Sequence, residues 1–368
     1  MGTAADGLVA GFVGGGFMAA VHSRAARSAR ARLLGISSSS PARSQRAADE
    51  LGIEHAYDGL TELLADDRLD VVHICTPNAL HHEQALAVIA SGRHVICEKP
   101  LAVTVAQAEE LVRAAERAGV TATVPFVYRF HPMVREARAR VAAGHVGRLL
   151  SIHGSYLQDW LLEAGDDNWR VDAALGGRSR AFGDIGSHLV DLIEFVTGDR
   201  IARVSALTST FFGSRPSHAT VTTEDAAAVT LETRGGAIGT LLVSQAAPGR
   251  KNRLHLEIAG SAESIAFDQE QPETLWLGRR SGRVLLPRDP AQLGPDAARL
   301  SVVPAGHAQG YVDAFAGFVA DTYAAIGGES PEGLPRFADG LRAARITEAV
   351  LDSAETGHWI TIDDEGTA

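Results

Sequence analysis

At 368 residues, with 45% hydrophobic and 21% charged side chains, the chain has the length and composition of a globular protein with two sizeable cores. A formal net charge of −11, with the arginines dispersed among carboxylates, argues against a nucleic-acid partner, whose phosphates need a basic face. No apolar run approaches the ~18 residues of a membrane span, the start lacks a basic leader region, and Met1-Gly2 is followed by Asp6 where a myristoylation signal needs Ser or Thr. The expectation is a cytoplasmic protein with no membrane partner.

Residues 8–13 read as a short apolar strand, followed at once by Gly14-Gly15-Gly16-Phe17-Met18-Ala19 and a helical pattern of small residues. A strand, a G-x-G-x-x-A turn and a helix start form the context that aims backbone N–H groups at a pyrophosphate. Gly14, Gly16, Phe17 and Met18 are therefore placed at a dinucleotide. The second strand, 32–36, lacks the terminal acidic residue of the NAD form and runs into Ser37-Ser38-Ser39-Ser40, with Arg43 on the next helix. Hydroxyls beside an arginine suit a 2′-phosphate; serines also suit a free 2′-hydroxyl, or simply a loop. NAD and NADP both stay open, with Ser37, Ser38, Ser39 and Arg43 as the contacts.

A helix at 59–65, a strand at 70–75, a helix at 80–90, a strand at 93–97, a helix at 105–118 and a strand at 121–126 follow. This alternation implies right-handed crossovers and a parallel, doubly wound sheet, with ligands beyond the carboxyl ends of the strands. Thr76, Pro77, Asn78, Glu98 and Lys99 fall at those ends, and His81 completes the cofactor set. The run His81-His82-Glu83 is not read as a metal site, because adjacent helical residues diverge by about 100°. No third ligand is spaced to join them; a cap or surface role fits. Cys75 and Cys97 end apolar runs and read as buried, reduced thiols. Lys99 and Lys251 are the only lysines among 34 cationic residues. An amine kept at a strand mouth in so arginine-rich a chain points to a compact donor whose pKa can shift. Pro100 cannot donate to a ladder and stops the strand there.

From 148 onward, β-runs at 148–158, 201–212, 226–233, 237–245, 253–259, 263–268, 273–278 and 282–287 are separated by turn residues, as in an antiparallel sheet. Leu254, Leu256 and Ile258 alternate with His255 and Glu257, giving one packed and one wetter face. The division is an α/β Rossmann domain over 1–126 and an α+β domain with a large, mostly antiparallel open sheet over 127–368. Within the second, 183–196 has helical spacing, and Asp184 and His188 stand at i and i+4 on one face. A carboxylate beside an imidazole tunes a base; an N-cap aspartate with a structural histidine fits the same spacing. Gln158, Trp160, Asn168, Trp169 and Arg170 lie in an irregular segment whose flat rings and hydrogen-bonding groups suit a polyol, or domain packing. Helices at 310–326 and 336–354 and a strand at 359–362 close the chain.

Gly11-x-x-Gly14-x-Gly16, Thr76-Pro77-Asn78, Glu98-Lys99-Pro100, Tyr128-Arg129-Phe130, Gly176-Gly177 and Asp184-x-Gly186-x-His188-x-x-Asp191 together resemble, nearly end to end, the glucose–fructose oxidoreductase, inositol dehydrogenase and MocA family. The resemblance implies hydride transfer between NAD or NADP and a carbinol of a small-molecule sugar or polyol. It also implies a homodimer or homotetramer joined through the large sheet. By position, His188 is the general acid/base, Asp184 its orienting partner, and Lys99 the donor to the reacting oxygen. The sugar-facing set is Lys99, Tyr128, Gln158, Trp160, Asn168, Trp169, Arg170, Asp184 and His188. Its 158–170 segment is most similar to that of dehydrogenases acting on sugars or anhydrosugars such as levoglucosan at C3. Two departures stand out: Arg178 and Arg180 lengthen the interval between Gly177 and Asp184, and Val127 precedes Tyr128 where relatives often carry Asn. Redox-assisted glycoside cleavage through a 3-keto intermediate, and a non-catalytic nucleotide or sugar sensor, are the competing expectations.

Overall fold

The structure, a computed structural model, describes residues 7–363; the Met1, Gly2 and Asp6 positions behind the leader and myristoylation readings lie outside them. Short apolar runs bounded by polar punctuation generate the first sheet. In chain order the elements are Val9–Val13 (β1), Phe17–Ser28 (α1), Arg32–Ser37 (β2), Pro41–Leu51 (α2), His55–Tyr57 (β3), Leu60–Ala65 (α3), Val71–Ile74 (β4), His81–Ala90 (α4), His94–Cys97 (β5), Val105–Ala118 (α5) and Ala122–Thr123 (β6). Helix starts are chemically marked: the Ser40 side chain accepts from Arg43 N ahead of Pro41, and the Thr104 side chain accepts from Gln107 N. The strands order as β3-β2-β1-β4-β5-β6, every pair parallel, which is the doubly wound arrangement with its switch point between β1 and β4. The sequence reading missed β3, whose His-Ala-Tyr carries no apolar run. It overextended β6, because Val124 N donates to Pro335 O instead of continuing the ladder (3.2 Å).

The chain continues through Pro132–Ala142 (α6), Leu149–Leu157 (β7), Ala173–Gly176 (α7), Ser187–Thr197 (α8), Ile201–Ser209 (β8), Ala226–Thr233 (β9), Ile238–Ser244 (β10), Arg253–Gly260 (β11), Ser264–Asp268 (β12), Thr274–Arg279 (β13), Gly282–Pro287 (β14), Pro295–Arg299 (α9), Tyr311–Ile326 (α10), Phe337–Thr356 (α11) and Ile360–Thr361 (β15). The second sheet orders as β14-β13-β12-β11-β7-β10-β9-β8-β15, antiparallel except for the β7/β10 pair. Its packed face carries the alternation seen on β11: Leu254, Leu256 and Ile258 are buried while His255 and Glu257 are half-exposed. Leu189, Leu192, Ile193 and Val196 of α8 join that core. A fully buried residue of this kind contributes about 1.5–3 kcal/mol. Gly154 on β7 permits the close approach, since a Cβ there would stand 3.1 Å from Leu189 Cδ1.

The chain forms two compact units, Met1–Val127 with Val312–Leu341, and Tyr128–Tyr311 with Arg342–Ala368. The sequence division gave the whole tail to the second domain; Val312–Leu341 packs with the first. Tyr323 OH lies 2.8 Å from His73 Nε2, the Phe315 ring meets His22 edge-on at 4.7 Å, and Gly340 sits against Leu101 and Val124. Such contacts join residues more than 200 positions apart and leave no local signal.

In the second unit two arginines, Arg180 and Arg215, converge on the Oδ1 of Asp225, and all three side chains are fully buried. Asp225 Oδ2 also accepts from Phe211 N at 2.6 Å. Asp225→Asn leaves two buried guanidinium groups without their counter-charge. The expected cost is about 3–5 kcal/mol, read as a lower denaturation midpoint at unchanged slope.

Candidate active site

In the first unit, β1 delivers the chain into a turn at Gly14, which has φ +97° and whose Cβ would meet Cys75 O at 2.8 Å. Only glycine fits there. A Cβ at Gly16 would meet nothing within 4 Å, and the first turn of α1 has neither a side-chain cap nor an acidic residue. The N-terminal amides of α1 are thus unspent on side chains, beside open space, which fits a pyrophosphate. Phe17 is 76% exposed on the same turn.

At the end of β2 the serines divide their roles. Ser37 is buried, and Ser40 caps α2. The exposed Ser39 hydroxyl accepts from Arg43 Nη1 at 3.0 Å, while Ser38 N donates to Ser44 Oγ at 2.8 Å. Of the sequence-predicted contacts, Ser38, Ser39 and Arg43 remain accessible at this strand end and Ser37 does not.

Beyond β4, Thr76 donates its hydroxyl proton to Gln84 Oε1 at 2.6 Å, and Asn78 opens a short 3₁₀ turn. His81 closes that 3₁₀ turn as its C-cap and is fully buried rather than at the surface. Its Nδ1 lies 2.8 Å from Pro100 O and its Nε2 2.9 Å from Thr76 O. Both partners are carbonyls and only accept, so the ring lies between the β4 loop and the β5 loop as a donor, and burial, chiefly, lowers its pKa. Glu98, just past β5, is also buried; its Oε1 accepts a hydrogen bond from His22 Nε2 at 2.9 Å and its Oε2 accepts from Lys99 N at 3.1 Å. Lys99 itself is half-exposed at this edge. Cys97 is buried and Cys75 half-buried, both as free thiols.

In the second unit, His188 is 7% exposed near the start of α8. One turn further on, Asp191 pairs with Arg129 through Nε at 2.8 Å and through Nη2, which anchors that helix to the chain just after Val127. The Tyr128 ring meets His188 edge-on at 5.1 Å. Its hydroxyl belongs to a closed ring of donors: Tyr128 O–H to Tyr156 O, Tyr156 O–H to Asn252 Oδ1 (2.8 Å), and Asn252 Nδ2–H back to Tyr128 O (3.3 Å). Burial raises both phenol pKa values, so these groups act as neutral hydroxyls. Gln158 Nε2 also donates to Asn252 Oδ1 at 2.8 Å, and Trp160 Nε1 donates to Gln158 Oε1 at 2.7 Å.

The helical i, i+4 argument for Asp184 and His188 needs correction, because Phe182–Gly186 is a π-helical turn and α8 begins only at Ser187. A π turn shifts the faces on which these side chains leave the helix. The Asp184 carboxylate accepts from Gln245 Nε2 at 2.8 Å and stands 3.5 Å from Arg170 Nε. The Arg170 guanidinium also stacks 4.5 Å over the Trp169 ring. Asn168 caps the following 3₁₀ turn by accepting from Arg170 N at 3.1 Å. The extra arginines do not enlarge the set: Arg178 pairs with Glu355 and Asp352 on the surface, and Arg180 is enclosed with Asp225. Tyr156, Gln245 and Asn252 were missed from sequence, since each is single and polar at or near a strand end. β7 lies between β10 and β11 in the sheet, which gathers them.

A glycine turn at the switch point of a parallel sheet, with a second unit built on an open sheet behind a histidine-bearing helix, defines a two-domain oxidoreductase with a dinucleotide-binding unit. Residues 8–126 match the oxidoreductase family with an NAD-binding Rossmann fold, and residues 134–266 match the GFO/IDH/MocA C-terminal domain. The chain belongs to the GFO/IDH/MocA family. A levoglucosan dehydrogenase from Pseudarthrobacter phenanthrenivorans is 30% identical over 96% of this chain and 98% of its own. The crystal structure of an oxidoreductase domain protein from Kribbella flavida superposes with TM-score 0.91 at 37% identity, covering 98% of this chain and 100% of that one. A levoglucosan dehydrogenase in complex with NADH and L-sorbose gives TM-score 0.91 at 30% identity, covering 97% and 99%. Among the described residues no helix is long and apolar enough to cross a membrane, and no group of three or more His, Cys, Asp or Glu is placed to hold a metal ion.

Proposed function

We propose that the chain oxidises, reversibly, a ring hydroxyl of a sugar, anhydrosugar or polyol with a nicotinamide dinucleotide. The observation that carries this is the gathering of Gly14–Gly16, Ser39 with Arg43, the Thr76–Asn78 segment and Lys99 at the carboxyl ends of β1, β2, β4 and β5. Likeness to a levoglucosan dehydrogenase over nearly the whole of both chains supports a sugar-type substrate. When bound, the dinucleotide supplies the acceptor or donor of hydride. The N-terminal amides of α1 hold its pyrophosphate. With no carboxylate after β2 and with Arg43 exposed, a 2′-phosphate is not repelled.

Lys99 donates to the reacting oxygen and stabilises the alkoxide-like charge that builds there. His188 removes the hydroxyl proton in the oxidative direction and returns it in the reductive one. Asp184, held by Gln245 and Arg170, keeps a negative charge on that segment. The rings of Trp160 and Trp169, with Gln158, Asn168 and Arg170 beside them, supply the stacking and hydrogen-bonding surface of a polyol site, and Tyr128 packs the catalytic imidazole from one side.

The test is absorbance at the reduced-nicotinamide band across a panel of sugars, anhydrosugars and inositols, with NAD and NADP run separately. Turnover with a cyclic polyol or sugar, with either dinucleotide, is expected; nucleotide binding with no turnover on the whole panel would leave a sensor.

Subunits associate, on this reading, through the open face of the large sheet, where Leu207, Ile238 and Leu242 are 75%, 63% and 46% exposed. Replacing Leu207 and Ile238 by aspartate is expected to shift the mass seen by light scattering down to that of the single chain. An unchanged mass removes this face as the contact.

A further inference from the structure

We propose that Tyr323, His73 and His22 form a one-way buried hydrogen-bond chain that holds Glu98 ionised against the Lys99 backbone and so positions Lys99. The four side chains come from α10, β4, α1 and the end of β5, and are 8%, 0%, 0% and 5% exposed in that order. Tyr323 OH lies 2.8 Å from His73 Nε2, His73 Nδ1 lies 2.9 Å from His22 Nδ1, and His22 Nε2 lies 2.9 Å from Glu98 Oε1. The second carboxylate oxygen, Oε2, accepts from the Lys99 amide at 3.1 Å.

Proton counting gives the chain its direction. A carboxylate only accepts, so His22 carries its proton on Nε2. With that one proton on its ring, His22 accepts at Nδ1, which requires His73 to donate from Nδ1. His73 Nε2 is left as an acceptor, and the Tyr323 hydroxyl donates to it. Every contact is filled once, and each bond polarises the next towards the carboxylate. Burial, chiefly, pushes His73 well below its ordinary pKa, and burial keeps the Tyr323 phenol protonated. Burial opposes ionisation of Glu98, but the hydrogen bond from His22 and the charge of Lys99 hold its pKa below the usual carboxyl value. The other titratable groups facing it are His81 on α4, whose pKa burial lowers, and the thiols of Cys75 and Cys97, raised by burial.

The consequence is mechanical and electrostatic together. Glu98 pins the backbone from which the Lys99 amine projects and places an anion beside that amine. His22, His73 and Tyr323 are positioning residues for the step that Lys99 assists.

This rests on the reading that Lys99 acts on the reacting oxygen, and Lys99→Ala tests that reading alone: retained turnover would remove it. In the cofactor-free protein, long-range 1H–15N spectra of 15N-histidine-labelled chain are expected to show His73 as the Nδ1–H tautomer and His22 as Nε2–H. In His22→Leu, Glu98 loses its donor and its pKa rises. Turnover is expected to fall about 10²-fold in kcat with KM little changed. The lower of two acid steps in the kcat profile, the one set by Glu98 rather than by His188, is expected to move up by about one pH unit or more. His22→Gln, whose amide nitrogen reaches the same oxygen, is expected to restore both, and Tyr323→Phe, which keeps its volume, to release His73 into mixed tautomers. The positioning chain is overturned if Lys99→Ala is inactive while His22→Leu keeps the wild-type kcat and pH profile. It is overturned equally if His73 carries its proton on Nε2, or if His22→Gln is no better than His22→Leu. Should His22→Leu not fold, the wild-type spectra and the His22→Gln and Tyr323→Phe variants decide alone.

Discussion

Lys99→Arg is expected to lower kcat by about 10²–10³-fold, the loss seen when one donor to a developing oxyanion is removed, while the affinity for nucleotide stays near that of the wild type. Charge is preserved in this variant, so charge alone cannot account for the loss. A guanidinium is planar and broader than an ammonium, spreads its charge over three nitrogens, and cannot place one compact donor on one oxygen. The chain spends arginine on its buried ion pairs, among them Arg129 with Asp191 and Arg180 with Asp225, and keeps an amine at the end of β5. Steady-state kinetics on the best substrate of the panel, with nucleotide titrated separately against intrinsic tryptophan fluorescence, separate the two effects. Wild-type kcat in Lys99→Arg would sink the role given to the amine.

His188→Asn is expected to cost about 10²–10⁴-fold in kcat, the usual worth of a positioned general base. It should also abolish the upper step of the acid limb of the pH profile for oxidation, because the base whose protonation sets that step is gone. The Arg129–Asp191 ion pair one turn along anchors α8 through other residues, so the helix keeps its place. A variant that loses rate but keeps that upper step would move the base elsewhere, with Asp184 the next group to test.

The two halves of the proposed site differed in how far the sequence exposed them. The glycine turn, Thr76-Pro77-Asn78 and Glu98-Lys99-Pro100 were legible because each sits where a short apolar strand stops, and the strand–helix rhythm tells which sheet edge that is. The serines after β2 were legible only as a group: which of them face outward depends on the Ser40 cap and on the pitch of α2. Glu98 was visible by position but not by partner, since His22 and His73 read as unremarkable polar interruptions in apolar elements. The Asp184/His188 pair was found by helical spacing, yet the π turn over Phe182–Gly186 alters the geometry that spacing assumed. Asn252, Gln245 and Tyr156 had no local signature at all.

The sequence by itself determined the alternation of strands and helices, the parallel and antiparallel character of the two sheets, and the chemistry available at each strand end. Those properties follow from periodicity, punctuation and residue type within windows of ten to fifteen residues. Only the tertiary structure decided that Val312–Leu341 packs with the first unit, that Glu98 turns inward to His22, and that a ring of Tyr128, Tyr156 and Asn252 lies beside His188. Each of these joins residues far apart in the chain. Such pairings are selected by burial and by the need to satisfy every enclosed donor and acceptor, conditions that exist only once the whole core has formed.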